Sequence, residues 1–492
     1  MRVPSDQHDL PPSPGLLIAV IGPPGSGKTR LLAELAALQR TQGNPIDGFL
    51  AGAGQHHRVG EGAESYRLSM LATGEELPWA EKDPACNPPY RFVPATRQRL
   101  HEWAAALPAR SPLVLLDEFG RFEARGEGLM LLWPALLQAG PGIVVMAVRA
   151  GVAEAIEARL GRRFDLKILA DSPEALAELR QACADYGEWT RIGLFGGAAG
   201  GLEMTLGTVL HASKLPLRGV VMSSLQAGMM VFASLGLTQP GRVIWVPFIS
   251  AGLKALSPGG SRLRPMLAIT AQGLLFGTSV QVLGANLAGF ALGGALIGVW
   301  AALQGILLQY LFLGGDLFRA YDAVVLWIAE KAQVTAPALP WLIGAWALVC
   351  GLIGMAAALA AWRLRAPPAA LQKLIEREQS NPNQARPRPA RETRPKSRLH
   401  RLREFGRWQF WLPFVVVSGI LLASGRSWDA VAWLALRFLA VGVVLLTAVS
   451  LLRPARWAQR LRQWGWWGPA LAFADAMARY QPSVPSADPT RK

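Results

Sequence analysis

Leu16–Ile21 (LLIAVI) is an unbroken apolar row that runs straight into Gly-Pro-Pro-Gly-Ser-Gly-Lys-Thr. A row this short and this uniformly apolar predicts a strand buried on both faces, and the residues from Thr29 to about Gln42 predict the helix that follows it. The same alternation recurs downstream. Strands are predicted at Pro112–Leu116, Gly142–Arg149 and Phe164–Ala170, and helices at Thr96–Ala106, Leu129–Gln138, Val152–Leu160 and Pro173–Tyr186. Strands alternating with helices predict an α/β domain over residues 14–187, with a mostly parallel sheet and helices on both faces.

Beyond that domain the pattern lengthens. Apolar stretches at about 192–211, 217–237, 266–286, 287–313 and 341–362 each approach the length that crosses a bilayer. A shorter one, Val243–Leu256, contains Pro247 and Lys254 and reads as a tilted or re-entrant span. Residues 190–363 are therefore expected to form a six-span helical membrane domain. Residues 364–406 are basic and Arg-Pro-rich and read as an unstructured cytoplasmic linker. Residues 407–480 predict two more spans, about 411–425 and 429–452, and a tail whose Arg456, Arg460, Arg462, Trp457, Trp464 and Trp467 suit a helix lying in the membrane interface.

Composition supports this division. Half the residues (51%) are apolar, unusually many for a wholly soluble enzyme, and the formal charge is +16. That charge could suggest nucleic acid, but thirteen Lys and Arg fall between Arg363 and Arg407, beside apolar spans, so no nucleic-acid partner is expected. Basic residues there mark the cytoplasmic side. With the α/β domain also cytoplasmic, the crossings between them must be even in number, which six satisfies. Lys214, Arg218, Arg262 and Arg264 then lie in outward loops, against the usual charge bias. The reading is a multi-pass inner-membrane protein. Cys86, Cys183 and Cys350 are far apart, lack metal-ligand spacing and read as inert thiols.

The candidate chemistry lies in the first domain. Gly22, Gly27, Lys28 and Thr29 fill the pattern G-x-x-x-x-G-K-[ST], with Pro23, Pro24, Gly25 and Ser26 between them and Arg30 after. Glycines let backbone N–H groups curl towards phosphates, a lysine balances the γ-phosphate charge, and a Thr hydroxyl suits Mg²⁺. Asp117 and Glu118 end the second strand, where ligands of open α/β sheets bind. Asp117 reads as a Mg²⁺ partner, and Glu118 as the carboxylate that polarises the attacking water. Arg149 ends the third strand and reads either as a γ-phosphate sensor or as a surface ion-pair partner. His56 and His57 read as exposed loop residues with no metal.

These motifs, with Gly48-Phe49-Leu50, a hairpin at Ala72–Glu75 and above all Leu113–Glu123 (LVLLDEFGRFE), resemble the small nucleoside-triphosphatase family, over roughly residues 14–170. The resemblance implies a fold similar to the additional-strand P-loop ATPases and hydrolysis of ATP or other nucleoside triphosphates with Mg²⁺. Gln55–Arg58 departs from the family's usual basic segment. In the membrane part, Gly196, Gly197, Gly200 and Gly201 give a small-residue helix face, and Glu203 lies within the same span. Gln272, Gln281, Asn286, Gln304 and Gln309 read mostly as interhelical hydrogen-bonding positions. The short-looped, Gly- and Ala-rich spans resemble the substrate-binding component of energy-coupling-factor transporters, and Trp433–Trp464 is similar to part of their transmembrane coupling component. That implies a small-molecule solute and transporter partner subunits. No Leu-Ser-Gly-Gly signature accompanies the loop, so the usual ATPase of those transporters is not implied.

The sequence thus predicts a membrane-bound Mg²⁺-dependent nucleoside triphosphatase attached to a transporter-like domain. The alternative is a membrane-tethered P-loop kinase acting on a small molecule or nucleotide.

Overall fold

In strand β1 (Leu16–Gly22) the side chains alternate between two cores: Leu17 and Ala19 enter one, and Leu16, Ile18 and Val20 the other. That alternation is why the strand is apolar throughout, and it sets the architecture around it. The computed structural model describes residues 15–52, 58–59, 63–83, 85, 90–108, 111–212, 218–256, 263–332, 338–366, 408–451 and 454–479. His56, His57, Cys86 and the basic linker expected at 364–406 lie outside them, apart from residues 364–366.

The remaining strands are β2 (Asp47–Ala51), β3 (Arg58–Val59), β4 (Ala63–Met70), β5 (Glu76–Lys82), β6 (Tyr90–Phe92), β7 (Leu113–Phe119), β8 (Ile143–Arg149) and β9 (Leu166–Leu169). Across the sheet they run β6-β5-β4-β2-β7-β8-β1-β9, with β3 paired to β4. The five strands β2-β7-β8-β1-β9 are parallel, and β3 to β6 extend the sheet in antiparallel pairing. The turn expected at Ala72–Glu75 joins β4 to β5, with Gly74 at φ 72°. The sheet is therefore mixed, though mostly parallel at its centre.

Both faces are covered. Helices α2 (Pro94–Ala106), α4 (Trp133–Ala139) and α5 (Ala153–Leu160) add Leu100, Leu136 and Ile156 to one core. Between α2 and α4 lies the short helix α3 (Arg121–Arg125). On the other face, α1 (Lys28–Thr41) contributes Leu31, Leu32 and Leu35, and the first turns of α6 (Ala175–Ala212) contribute Ala175, Leu179 and Ala182. The helix expected to end at Tyr186 instead continues unbroken to Ala212, because no glycine–proline punctuation interrupts it and Gly187 is tolerated in the helix interior.

Of the described residues, 15–187 and 462–471 form one compact unit, and the rest form a second, helical unit. Arg462 explains why the C-terminal segment belongs with the sheet. Its guanidinium donates to the Gly15 carbonyl at 2.7 Å and pairs with Asp165 at 2.8 Å. Asp165 is 1% exposed and also accepts from the Leu17 N–H and from Arg162. Trp467 packs against the core on the α1 face. Arg462 and Trp467 were expected in a membrane-surface helix. They serve a buried acid and an apolar core instead, which ask for the same residue types as a lipid surface does.

The helical unit comprises the rest of α6, then α7 (Arg218–Ser234), α8 (Trp245–Leu256), α9 (Leu263–Leu283), α10 (Leu287–Leu313), α11 (Asp316–Ala332), α12 (Ala338–Leu364), α13 (Trp408–Ala423), α14 (Trp428–Leu451), α15 (Pro454–Gln463) and most of α16 (Trp467–Arg479), residues 462–471 excepted. Among the described residues, three segments are long and apolar enough to cross a membrane: Pro265–Leu283, Leu287–Leu313 and Ile343–Leu364. At 12 residues, α8 spans only about 18 Å, short of a hydrocarbon core of about 30 Å. The sequence pattern missed α11, because Asp316, Arg319, Asp322, Glu330 and Lys331 break its apolar run while leaving one apolar face.

Glycines set the closest helix contacts. A Cβ on Gly196 or Gly200 would stand 2.8 Å from Ile249 or Leu253 of α8, so α8 of the same chain covers that small-residue face of α6. On α10, a Cβ at Gly298 would overlap the Cys350 carbonyl of α12. Of the polar positions expected to bridge helices, Gln272 bonds Ser223 at 2.7 Å. Asn286 does not bridge: its carboxamide oxygen accepts from Ala288 and Gly289 N–H and caps α10. At the start of this unit Glu188 is held by Arg242 at 2.7 Å and by the Thr238 N–H.

Candidate functional site

The loop between β1 and α1 takes its shape from its glycines. Gly25 and Gly27 lie at φ 80° and 85°, a region that disfavours side chains, and a Cβ on Gly22 would collide with Ser26 Oγ. Gly27 brings no side chain to the start of α1 and the first turn carries no acid, so the helix presents its N–H groups and positive end without an internal anion. Lys28 lies back along the loop, its ammonium donating to the carbonyls of Gly22 at 2.9 Å and Pro23 at 2.7 Å.

Register brings the other candidates to the same edge. Gly22 of β1 stands beside Arg149, the last residue of β8, and the Ala150 N–H bonds the Gly22 carbonyl at 3.0 Å. On the far side of β8, the β7 pairing shifts register between Leu116 and Phe119, the stretch that holds Asp117 and Glu118. Glu118 adopts φ 68°, a left-handed backbone that a non-glycine residue rarely takes. A bulge with strained backbone at a strand end re-aims a side chain, here at the edge the loop occupies.

Asp117 is 1% exposed and fully engaged. It accepts from the Thr29 hydroxyl, from the Ala51 N–H at 3.1 Å and from the Glu118 N–H at 2.9 Å. Burial raises its carboxyl above the usual range, and these bonds oppose that rise. Desolvation, with Asp117 and Glu123 adding repulsion, also raises Glu118, while Lys28 and Arg149 pull it down. Partial burial lowers the Lys28 ammonium against the attraction of the two acids. Lys28, Asp117, Glu118 and Arg149 therefore act on one another as one electrostatic group.

Two expected positions fall outside that group. Arg30 turns to solvent and pairs with Glu34 at 2.8 Å, so only its backbone belongs to the loop. Arg121 is exposed at the start of α3. Glu123, noted in the sequence only as part of a motif, has a definite task. Its buried carboxylate accepts from Gly120 N–H at 2.8 Å and Leu129 N–H at 3.1 Å, fastening the segment that leaves β7. The signal for it was a carboxylate three residues after Gly120 at a helix start, where a capping acid belongs.

The Thr29 hydroxyl and Asp117 carboxylate are hard oxygen donors held together, a set that fits Mg²⁺. Among the described residues no group of three or more His, Cys, Asp or Glu could hold a metal alone, so substrate oxygens and water would complete the coordination.

Residues 17–163 match the family model described as "Protein of unknown function (DUF2478)". The match encloses Gly22–Thr29, Asp117, Glu118 and Arg149. No curated protein and no solved structure matches the chain.

Proposed function

We propose that the chain is a membrane-bound, Mg²⁺-dependent nucleoside triphosphatase with a P-loop. The observation that carries this reading is the meeting of Thr29 with Asp117, and of Lys28 with Glu118 and Arg149, at the end of strands β1, β7 and β8. The order of those strands adds support: β8 stands between the loop strand and the acidic strand, as in the additional-strand ATPases that the sequence resembles.

In this reading the loop N–H groups and the α1 dipole bind the phosphates, and Lys28 leaves its carbonyl partners to balance the γ-phosphate. Glu118 accepts a proton from the water whose oxygen bonds to the γ-phosphorus, as the bond to the β–γ bridging oxygen breaks. Arg149 adds positive charge to the transferring group. Bound at Thr29 and Asp117, Mg²⁺ would neutralise phosphate charge. The three long apolar helices place this enzyme at a membrane, and the six-span, solute-handling reading of residues 190–363 with transporter partners belongs to the same proposal.

The test is phosphate release by the full-length protein in nanodiscs, supplied with each nucleoside triphosphate and Mg²⁺. Lys28→Ala should abolish turnover. Glu118→Gln should keep nucleotide binding and lose about 10²–10⁴-fold in turnover, the range for a positioned general base. Near-parental turnover in either variant would remove that residue from the mechanism.

A further inference from the structure

Three polar atoms buried in the helical unit have no hydrogen-bond partner among the described residues: Glu203 Oε2 on α6, and Trp300 Nε1 and Gln304 Oε1 on α10. Contacts draw them towards one region. Glu203 Oε2 lies 3.0 Å from where a Cβ on Gly207 would stand, and Met222 Cε of α7 lies 3.7 Å from that same point. One turn earlier on α7, a Cβ on Gly219 would stand 4.0 Å from Gln304 Nε2. Trp300 is one turn before Gln304, on the same face of α10. Behind Glu203, Lys254 of α8 donates to its backbone carbonyl at 3.1 Å, and its charge acts on the Glu203 carboxylate. Residues of α6, α7, α8 and α10 thus border one polar region, and two of the positions nearest its centre are glycines that bring no side chain to fill it.

Buried polar groups are nearly always paired, and each unpaired one costs desolvation without return. Two open acceptors and one open donor in a single region, with a lysine offsetting the carboxylate charge, define a complement. The ligand must offer two N–H donors and one acceptor within a small flat unit. We propose that this region is a binding site for a small solute bearing an amidine-type N–C–N group, as in an amino-substituted nitrogen heterocycle. Its amino N–H groups meet Glu203 Oε2 and Gln304 Oε1, and its ring nitrogen accepts from the Trp300 indole N–H.

The experiment uses full-length protein in nanodiscs without nucleotide, so its outcome is independent of the hydrolytic reading. The probe is 2-aminopyridine, and binding is read by calorimetry and by the rise in unfolding temperature. Saturable binding is expected, with 2-(dimethylamino)pyridine, which has the same ring and no N–H, weaker by at least about tenfold. Glu203→Gln and Gln304→Leu should each weaken the probe by a similar factor, and Trp300→Phe keeps the test informative should either fail to fold. No binding of 2-aminopyridine, equal binding of the dimethyl analogue, displacement by Na⁺ alone, or variants that bind like the parent would each overturn the proposal.

Discussion

Glu118 carries two burdens at once, a left-handed backbone at φ 68° and a carboxylate crowded by Asp117 and Glu123. Both are costs that a folded chain keeps where a site requires them. The electrostatic part can be isolated. A carboxyl whose folded pKa is raised binds more protons folded than unfolded, so its ionised form costs stability as pH rises through the folded value. Glu118→Gln should therefore unfold at a higher temperature than the parent at pH 8, and the gap should close as the pH falls below the ordinary carboxylate range. Thermal melts of the two proteins across that range check it, and a gap that widens towards acid would show that the acid is stabilised. The loop glycines, Lys28, Thr29 and the acidic pair were legible in the sequence because each must be one residue type at one spacing. The strain at Glu118 was not, since any residue can occupy a strand end and only the register slip beside Leu116 reveals the turn. Nor was the fate of Arg30, which depended on Glu34 lying one helical turn away.

At the scale of elements, unbroken apolar rows translated directly into β1, β7 and β8, because a strand covered on both faces has no other composition open to it. The antiparallel strands β4, β5 and β6 were harder to read: their exposed faces carry Arg67, Glu76 and Glu81, and only the turn at Gly74 marked them. Helix contacts in the second unit depend on missing atoms. Gly298→Ala should force α10 and α12 apart, since the new methyl meets the Cys350 carbonyl rather than a side chain that can turn away. A loss of about 1–3 kcal/mol is expected for such overpacking. Gly305→Ala, which meets nothing within 4 Å, should be neutral or slightly stabilising. Unfolding in detergent compares them, and equal effects would mean that the α10–α12 contact is looser than drawn.

For the whole molecule, the division into an α/β part and a helical part was visible as a change of apolar pattern near residue 188. What the pattern hid was the return of residues 462–471 to the first part, because Arg462 and Trp467 look the same whether they meet lipid or a buried acid. The proposed six crossings have a direct check in cysteine labelling of intact cells. A cysteine at Ser261 should react with an impermeant thiol reagent and one at Ser397 should not; labelling at Ser397 would make the number of crossings odd. The arginine that pins the start of β1 is among the last residues to leave the ribosome. Asp165, already held by Arg162 and the Leu17 amide, waits for its second arginine until every helix of the other unit has been synthesised. Assembly of the nucleotide-handling part is thereby tied to completion of the membrane part: a chain stalled before Arg462 leaves its catalytic half unfinished.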